Sequence, residues 1–130
     1  MNRKKVFKTK TFDRWVKKII SDKVLCVAAS EIERGLFEAD LGSGVCKKRV
    51  AIPGQGKSGS TRMLVVKQHP MAIVFLVGRE KSAPGADFSD PVVEAVKTLA
   101  LALQSQSIEQ LYRAAINGEL TEICNDKEEQ

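Results

Sequence analysis

Lys-Lys-Arg-Val-Ala-Ile-Pro-Gly-Gln-Gly-Lys-Ser-Gly-Ser-Thr-Arg, residues 47–62, is the stretch that decides the predicted fold of this chain. It holds five cations and no carboxylate, and residues 53–60 contain three glycines, a proline and two serines. This composition disfavours a helix, whereas the apolar residues on either side, 50–52 and 63–66, are typical of strands. We therefore predict two strands joined by a glycine-rich loop that exposes backbone N–H groups and the side chain of Lys57.

A basic, glycine-rich loop of this kind is typical of a site for a polyanion. Glycine lets the backbone approach a phosphate, and the two-pronged guanidinium of arginine suits a phosphodiester. The competing motif is the phosphate loop of nucleotide-binding enzymes, because residues 54–58 read Gly-Gln-Gly-Lys-Ser. That motif requires another glycine at the position of Ala51 and a helix after the loop, where this chain has a β-rich run. Nucleotide hydrolysis is therefore disfavoured.

Length and composition indicate one globular domain. The chain has 130 residues, of which 43% are hydrophobic, and no apolar run approaches the ~18 residues that span a bilayer. We expect a cytosolic protein with no membrane partner. The three cysteines, Cys26, Cys46 and Cys124, are odd in number and far apart, and His69 is the only histidine. We predict three reduced cysteines that pack as small apolar side chains, with no disulfide and no metal site.

The charge is divided unevenly along the chain. Residues 1–81 carry a net charge of +11 and residues 82–130 carry −6, which gives +5 in total. A basic segment of this size attracts nucleic acid of any sequence, and the attraction weakens as salt rises. The alternative is a basic, solvated surface without a specific partner.

Apolar residues at helical spacing predict a helical hairpin after a short strand at residues 6–10. The first helix is expected to have Thr11 as its N-cap, and its apolar stripe is Phe12, Trp15, Val16, Ile19 and Ile20. A second helix is expected from a Ser21 cap to Gly35, followed by a connection over residues 36–44.

Three strands, residues 45–52, 62–68 and 72–78, are predicted to form an antiparallel meander. The unalternating run 73–77 belongs to an interior strand, and His69 lies in a turn rather than acting as a catalytic base. On the first of these strands Lys47 and Arg49 share one face, whereas Lys48 shares the apolar face.

Two further helices are predicted in the acidic part of the chain. The first is expected to begin with Asp90 as N-cap and Pro91 at the first helical position. The second, residues 108–116, follows a capping box of Ser107 and Gln110. We expect a core at residues 1–82 and a helical extension of the same domain at 83–130. The extension either completes the core, shields the basic site or docks a partner.

Several short stretches resemble the RelE/ParE superfamily of bacterial toxins, and within it the HigB-like branch. They are Lys-Thr-Phe-Asp-Arg-Trp at 10–15, Lys-Lys-Arg-Val-Ala at 47–51, Pro-Gly-Gln-Gly-Lys-Ser-Gly at 53–59 with Arg62, Gly78 with Lys81-Ser82, and Asn-Gly-Glu-Leu-Thr-Glu-Ile at 117–123. The resemblance implies an α+β fold, with a short strand and a helical hairpin packed on a small antiparallel meander, plus the two C-terminal helices.

The resemblance also implies a function. Such toxins typically cleave messenger RNA, often on the ribosome, and are neutralised by a cognate antitoxin encoded nearby. Carried over to this chain, the resemblance implies catalysis or RNA contact by Arg49, Lys57, Arg62 and Lys81. The residues expected to bind RNA are Lys47, Lys48, Arg79 and again Lys57. Val77 and Thr61 stand where members often have an aromatic residue, which implies weaker stacking on RNA bases.

The chemistry has to come from cations, because no histidine lies near the basic motif. Arg49 and Arg62 are expected to clamp the scissile phosphate, and Lys57 and Lys81 to neutralise or protonate developing oxyanions. No metal and no cofactor is expected. The alternatives are a non-catalytic toxin that inhibits a protein such as DNA gyrase, and a plain nucleic-acid binder.

Overall fold

The computed structural model of the chain describes residues 3–55, 59–81 and 87–125. Its elements in chain order are β1 (Lys5–Thr9), α1 (Lys10–Val16), α2 (Asp22–Glu33), β2 (Ala39–Gly42), β3 (Val45–Ala51), β4 (Ser60–Val66), β5 (Ala72–Glu80), α3 (Asp90–Gln104), α4 (Ile108–Ile116) and β6 (Leu120–Ile123). The predicted α+β class is confirmed. Among these residues, no helix is long and apolar enough to cross a membrane.

The strands form one sheet in the order β2-β3-β4-β5-β1-β6. Strands β3, β4 and β5 are the predicted antiparallel meander, and β5 lies inside the sheet as its unbroken apolar run indicated. Strand β1 pairs with β5 in parallel and with β6 in antiparallel orientation. The N-terminal and C-terminal strands therefore close the sheet side by side.

Two strands were missed by the sequence analysis. Strand β2 lies in the predicted connection and β6 lies at the end of the chain, and each has only four residues. Both are edge strands; half-buried and exposed residues alternate in β2, whereas β6 buries its first and last residues, Leu120 and Ile123. The partner of β6 is distant in sequence, since Ile123 pairs with Val6. The local composition of such a short strand therefore gave little signal.

The helix boundaries were partly predicted. Ser21 caps α2, and the capping box of Ser107 and Gln110 opens α4 as predicted. The predicted caps of the other two helices were wrong, because Thr9 and Ser89 take the role instead of Thr11 and Asp90. Each true cap accepts the backbone N–H three residues later, from Phe12 and Val92 respectively, which satisfies one of the unpaired donors of the first turn.

Helices cover both faces of the sheet. On the α1–α2 face, the buried residues include Phe12, Leu25, Ile32, Met63 and Phe75. On the α3–α4 face, they include Phe7, Leu64, Val74, Val96 and Leu111. Because α3 and α4 bury the apolar part of one face of the central strands, the acidic half of the chain completes the core.

The cysteine prediction was wrong. Cys26 in α2 and Cys124 after β6 form a disulfide, with Cα atoms 5.5 Å apart, whereas Cys46 is a buried thiol. The pair is 98 residues apart in sequence, and only the pairing of β6 with β1 brings Cys124 to α2. Burial raises the pKa of the Cys46 thiol to about 12, so this cysteine is the inert apolar side chain that was expected for all three.

Reducing the disulfide should lower the free energy of unfolding by about 2–4 kcal/mol, because the cross-link closes a long loop and restricts the unfolded chain. Urea titrations with and without a reductant measure this difference. The double variant Cys26→Ser/Cys124→Ser is the control, and it should give one midpoint under both conditions. Equal midpoints for the wild-type protein, with or without reductant, would contradict the prediction.

Candidate nucleic-acid interface

Three arginines lie in a row across the meander. Arg49 of β3 is directly opposite Arg62 of β4, which in turn is directly opposite Arg79 of β5. Adjacent strands lie about 4.8 Å apart, and like charges directly opposite one another destabilise a sheet. A row of three guanidinium groups is therefore a place where a bound anion would relieve repulsion.

The row lies on the α3–α4 face, beyond the part of this face that the helices cover. Arg62 precedes the buried Leu64 by two residues, and Lys47 and Arg49 continue the alternation that starts at the buried Val45. The same face of the sheet thus changes from an apolar floor under α3 to a cationic surface at the loop end of the strands.

A β-bulge in β5 brings Arg79 into this row. Val65 pairs with Phe75 but Leu64 pairs with Val77, so Leu76 is an extra residue in β5. Leu76 and Val77 both pack on the α3–α4 side, which resets the alternation of the strand. Without the extra residue, Arg79 would share the α1–α2 face with Ile73 and Phe75.

Thr9 fastens this bulge to the first helix. Its hydroxyl donates to the carbonyl of Leu76 at 2.9 Å and accepts the N–H of Phe12 at 3.1 Å. One side chain therefore caps α1 and donates a hydrogen bond to the carbonyl of the bulged residue. Gly78 completes the fit, because a Cβ there would lie 2.2 Å from Cζ3 of Trp15.

Two carboxylates border the arginine row. Lys47 Nζ lies 2.6 Å from Oδ2 of Asp87, and Arg79 donates to the backbone carbonyl of Asp87 at 2.6 Å. The hydrogen bond from Lys47 is the main cause that lowers the pKa of Asp87, and the charge of Arg62 adds to it. The second carboxylate, Glu38, accepts the backbone N–H of Arg49. The acidic half of the chain thus places an anion beside the cations.

An open hollow of about 270 Å³ forms between these groups. Its lining consists of Glu38, Ala39, Lys47, Arg49, Arg62 and Asp87. Sequence reasoning identified the cations but missed both carboxylates. Neither carried a local signal, since Asp87 lies in a predicted loop and Glu38 in a predicted connection.

The remaining predicted site residues divide into three groups. Lys81 follows β5 directly, its backbone N–H donates to the carbonyl of Ser60, and its side chain is exposed at this end of the sheet. Lys48 lies on the opposite face, where Nζ is 2.9 Å from Glu31 and 2.8 Å from the carbonyl of Leu36. With a side chain that is 8% exposed, Lys48 links β3 to α2 and is not brought to the row. Lys57 lies outside the described residues.

Thr61 and Val77, the two positions where the resemblance implied an aromatic residue, offer no stacking surface. Thr61 is fully buried and donates its hydroxyl hydrogen to the carbonyl of Val50, and Val77 packs against the α3–α4 core. His69 lies at the other end of the sheet, where it contacts Gln106 and Met71. Within the described part of the chain, no three His, Cys, Asp or Glu side chains are grouped to hold a metal ion.

The fold agrees with the comparison with known families. The family model described as RelE toxin of RelE / RelB toxin-antitoxin system matches residues 4–123, from the start of β1 to the end of β6. The protein is thus a toxin of a toxin–antitoxin system. More specifically, the chain belongs to the RelE family, whose toxins pair with a cognate antitoxin. The comparison with curated proteins gives no match.

The variant Thr9→Val should lower the free energy of unfolding by about 1–2 kcal/mol, because it removes a helix cap and leaves the bulge carbonyl without this donor. Urea denaturation measures the change. Thr11→Val is the matched control, since Thr11 is an exposed residue of the same helix, and it should cost under about 0.5 kcal/mol. Equal losses for both variants would show that the Thr9 hydroxyl does not support the bulge.

Proposed function

We propose that this toxin inhibits translation by cleaving messenger RNA on the ribosome, with the row of Arg49, Arg62 and Arg79 as the phosphate-binding part of its site. Membership of the RelE family supports this activity, since toxins of the family are generally endoribonucleases. The observation that carries the proposal is the register that aligns three arginines across three strands. Residues 53–59 further favour the HigB-like branch.

The proposed reaction is attack of a ribose 2′-oxygen on the adjacent phosphorus. The new P–O bond forms as the bond to the 5′-oxygen breaks, which leaves a 2′,3′-cyclic phosphate and a 5′-hydroxyl. Negative charge builds up on the non-bridging oxygens, where Arg49 and Arg62 would each donate two-pronged hydrogen bonds. One such preorganised donor contributes about 3–4 kcal/mol, so two or three account for a modest ribonuclease.

The proton transfers fall to lysines in this proposal. Lys81 follows β5 at the loop end of the sheet, and we assign to it the proton that the leaving 5′-oxygen gains. The 2′-hydroxyl gives up its proton to a water molecule, and Lys57 is assigned the stabilisation of the oxyanion that develops on the attacking oxygen. Lys47 would hold the neighbouring phosphate once its contact with Asp87 is exchanged for RNA. None of the described residues that line the hollow at the arginine row is aromatic, so we assign the alignment of the messenger to the ribosome.

The variant Arg62→Ala should abolish growth arrest and messenger cleavage while the melting temperature stays within about 2 °C of the wild type. Arg62 is the middle member of the row, so its loss should remove a central phosphate contact. The substitution removes little packing, so the stability should hardly change. Primer extension on messenger from a translating extract detects the cuts. Arg113→Ala, an exposed arginine of α4, is the control and should cleave normally.

Two results would overturn the proposed function. One is full cleavage by Arg62→Ala at equal expression. The other is intact messenger with the wild-type toxin together with trapped complexes of DNA gyrase on DNA, which would indicate a toxin that acts on that enzyme.

The variant Asp87→Asn should strengthen binding of single-stranded RNA and steepen its dependence on salt. Removing the carboxylate releases Lys47 for a phosphate, and one extra contact changes the slope of log K against log salt by about 0.7 for a single strand. Fluorescence anisotropy over a salt series measures both quantities. Asp90→Asn, which makes the same change of net charge in α3, should leave the slope unchanged. Identical slopes for the two variants would exclude competition between Asp87 and RNA.

A further inference from the structure

A second and larger hollow lies at the end of the sheet opposite the arginine row. It has a volume of about 670 Å³, and its walls come from the start of β1, from α2, from the β4–β5 turn, from the start of α4 and from both disulfide cysteines. Ala72, next to this hollow, and Arg79 are seven residues apart on β5, which corresponds to about 23 Å. The hollow is therefore separate from the candidate RNA site.

The hollow presents a large apolar side chain on a fixed turn. Met71 is 53% exposed, although both its backbone carbonyl and its backbone N–H are hydrogen-bonded. Its carbonyl accepts the N–H of Lys5 at 2.9 Å, and its N–H donates to Nδ1 of His69 at 3.0 Å. The other ring nitrogen of the buried His69 lies 2.8 Å from the carbonyl of Gln106, just before α4. Met71 is thus held rigidly at the mouth of the hollow.

The opposite wall is also preorganised. The Tyr112 ring packs edge-on against the buried Phe7, with ring centres 5.9 Å apart. The disulfide joins the α2 wall to the end of β6. A rigid hollow with exposed apolar side chains loses little conformational entropy when a partner binds. Preorganised apolar surfaces of this kind are typical of protein-docking sites.

The rim of the hollow is cationic. Arg3, Lys4 and Lys5 line it, and Glu33 is the only carboxylate among its described lining residues. The Glu33 carboxylate accepts the backbone N–H of Lys4 at 3.0 Å, and Lys4 Nζ donates to the carbonyl of Lys67. The exposed Lys5 side chain therefore adds to a positive field that the local carboxylate does not balance. A partner that fits must combine apolar and acidic side chains.

We propose that this hollow is the docking site of the cognate antitoxin, through a segment that packs an apolar side chain against Met71 and Tyr112 and sets acidic side chains beside Lys5. The proposal rests on membership of the RelE family, which supplies an antitoxin partner, and not on the proposed RNA cleavage. An antitoxin segment bound here would leave the arginine row, at the other end of the sheet, without a direct contact from that segment.

The test uses the full-length toxin and its purified cognate antitoxin in titration calorimetry. Met71→Asp should weaken the affinity at least tenfold, because it puts a charge at the apolar contact. Leu101→Asp is the matched control, since Leu101 of α3 is 56% exposed and lies outside the hollow, and it should change the affinity less than twofold. Melting curves establish that both variants are folded.

A pair of charge reversals tests the cationic rim. Lys5→Glu should weaken antitoxin binding several-fold and reduce its dependence on salt, whereas Lys18→Glu, with the same change of net charge outside the hollow, should not. RNA affinity should be the same in Lys5→Glu as in Lys18→Glu.

Three outcomes would overturn the docking proposal. In the first, Met71→Asp and Lys5→Glu bind the antitoxin as tightly as their controls. In the second, light scattering shows that Met71→Asp breaks a toxin dimer while antitoxin binding is unchanged, so a second copy occupies the hollow. In the third, Met71→Asp and Lys5→Glu lose RNA affinity but keep antitoxin affinity. A wild-type toxin that cleaves no messenger would contradict the proposed function and leave this docking site unaffected.

Discussion

The arrangement of the molecule depends on one extra residue in β5. A regular strand would put Ile73, Phe75 and Arg79 on one face, and α1 covers that face with Phe12 and Trp15. The first half of β5 is buried on both faces. After the bulge at Leu76, the second half of the strand places Arg79 on the same face as Arg62. Since Thr9 both binds the bulge carbonyl and caps α1, one hydroxyl links the start of the helical hairpin to the bulge of the central strand.

The cations of this basic protein fall into two groups that charge alone does not separate. Lys8 is buried between Asp13 and Asp22, with Nζ at 2.6 and 2.9 Å from their carboxylates. Burial opposes its charge, but the hydrogen bonds and charges of the two carboxylates outweigh it and raise the pKa of Lys8. Lys48 is buried against Glu31 in a similar way. These lysines join helices to the sheet, whereas the half-buried and exposed arginines of the row face one another. The row opposes folding locally, which is typical of a surface that has been kept for a ligand.

The sequence predicted the parts of the fold that depend on near neighbours in the chain. The meander followed from strand patterns and a glycine-rich break, and two of the four helix caps followed from side-chain chemistry. Strand β6, the disulfide and the contact between Asp87 and Lys47 each join residues at least 40 positions apart. No local pattern records such contacts. The bulge is hidden for another reason, because an unbroken apolar run conceals a change of alternation. The cationic residues of the candidate site were predictable, but their alignment was not.

The two ends of the sheet differ in a way that suits a toxin with two partners. At one end, the disulfide, the Met71 turn and the start of α4 are cross-connected by covalent and hydrogen bonds around an apolar hollow with a cationic rim. At the other end, cations dominate, and the balancing carboxylate of Asp87 comes from the acidic half of the chain. This ion pair is half-buried, so solvent and salt screen it in part, and a polyanion can compete with Asp87 for Lys47. The hollow instead gains part of its affinity by burial of apolar side chains such as Met71, and this part is insensitive to salt. Under the two proposals, the chemistry of each end selects a different class of partner, and the length of β5 keeps the two candidate sites apart.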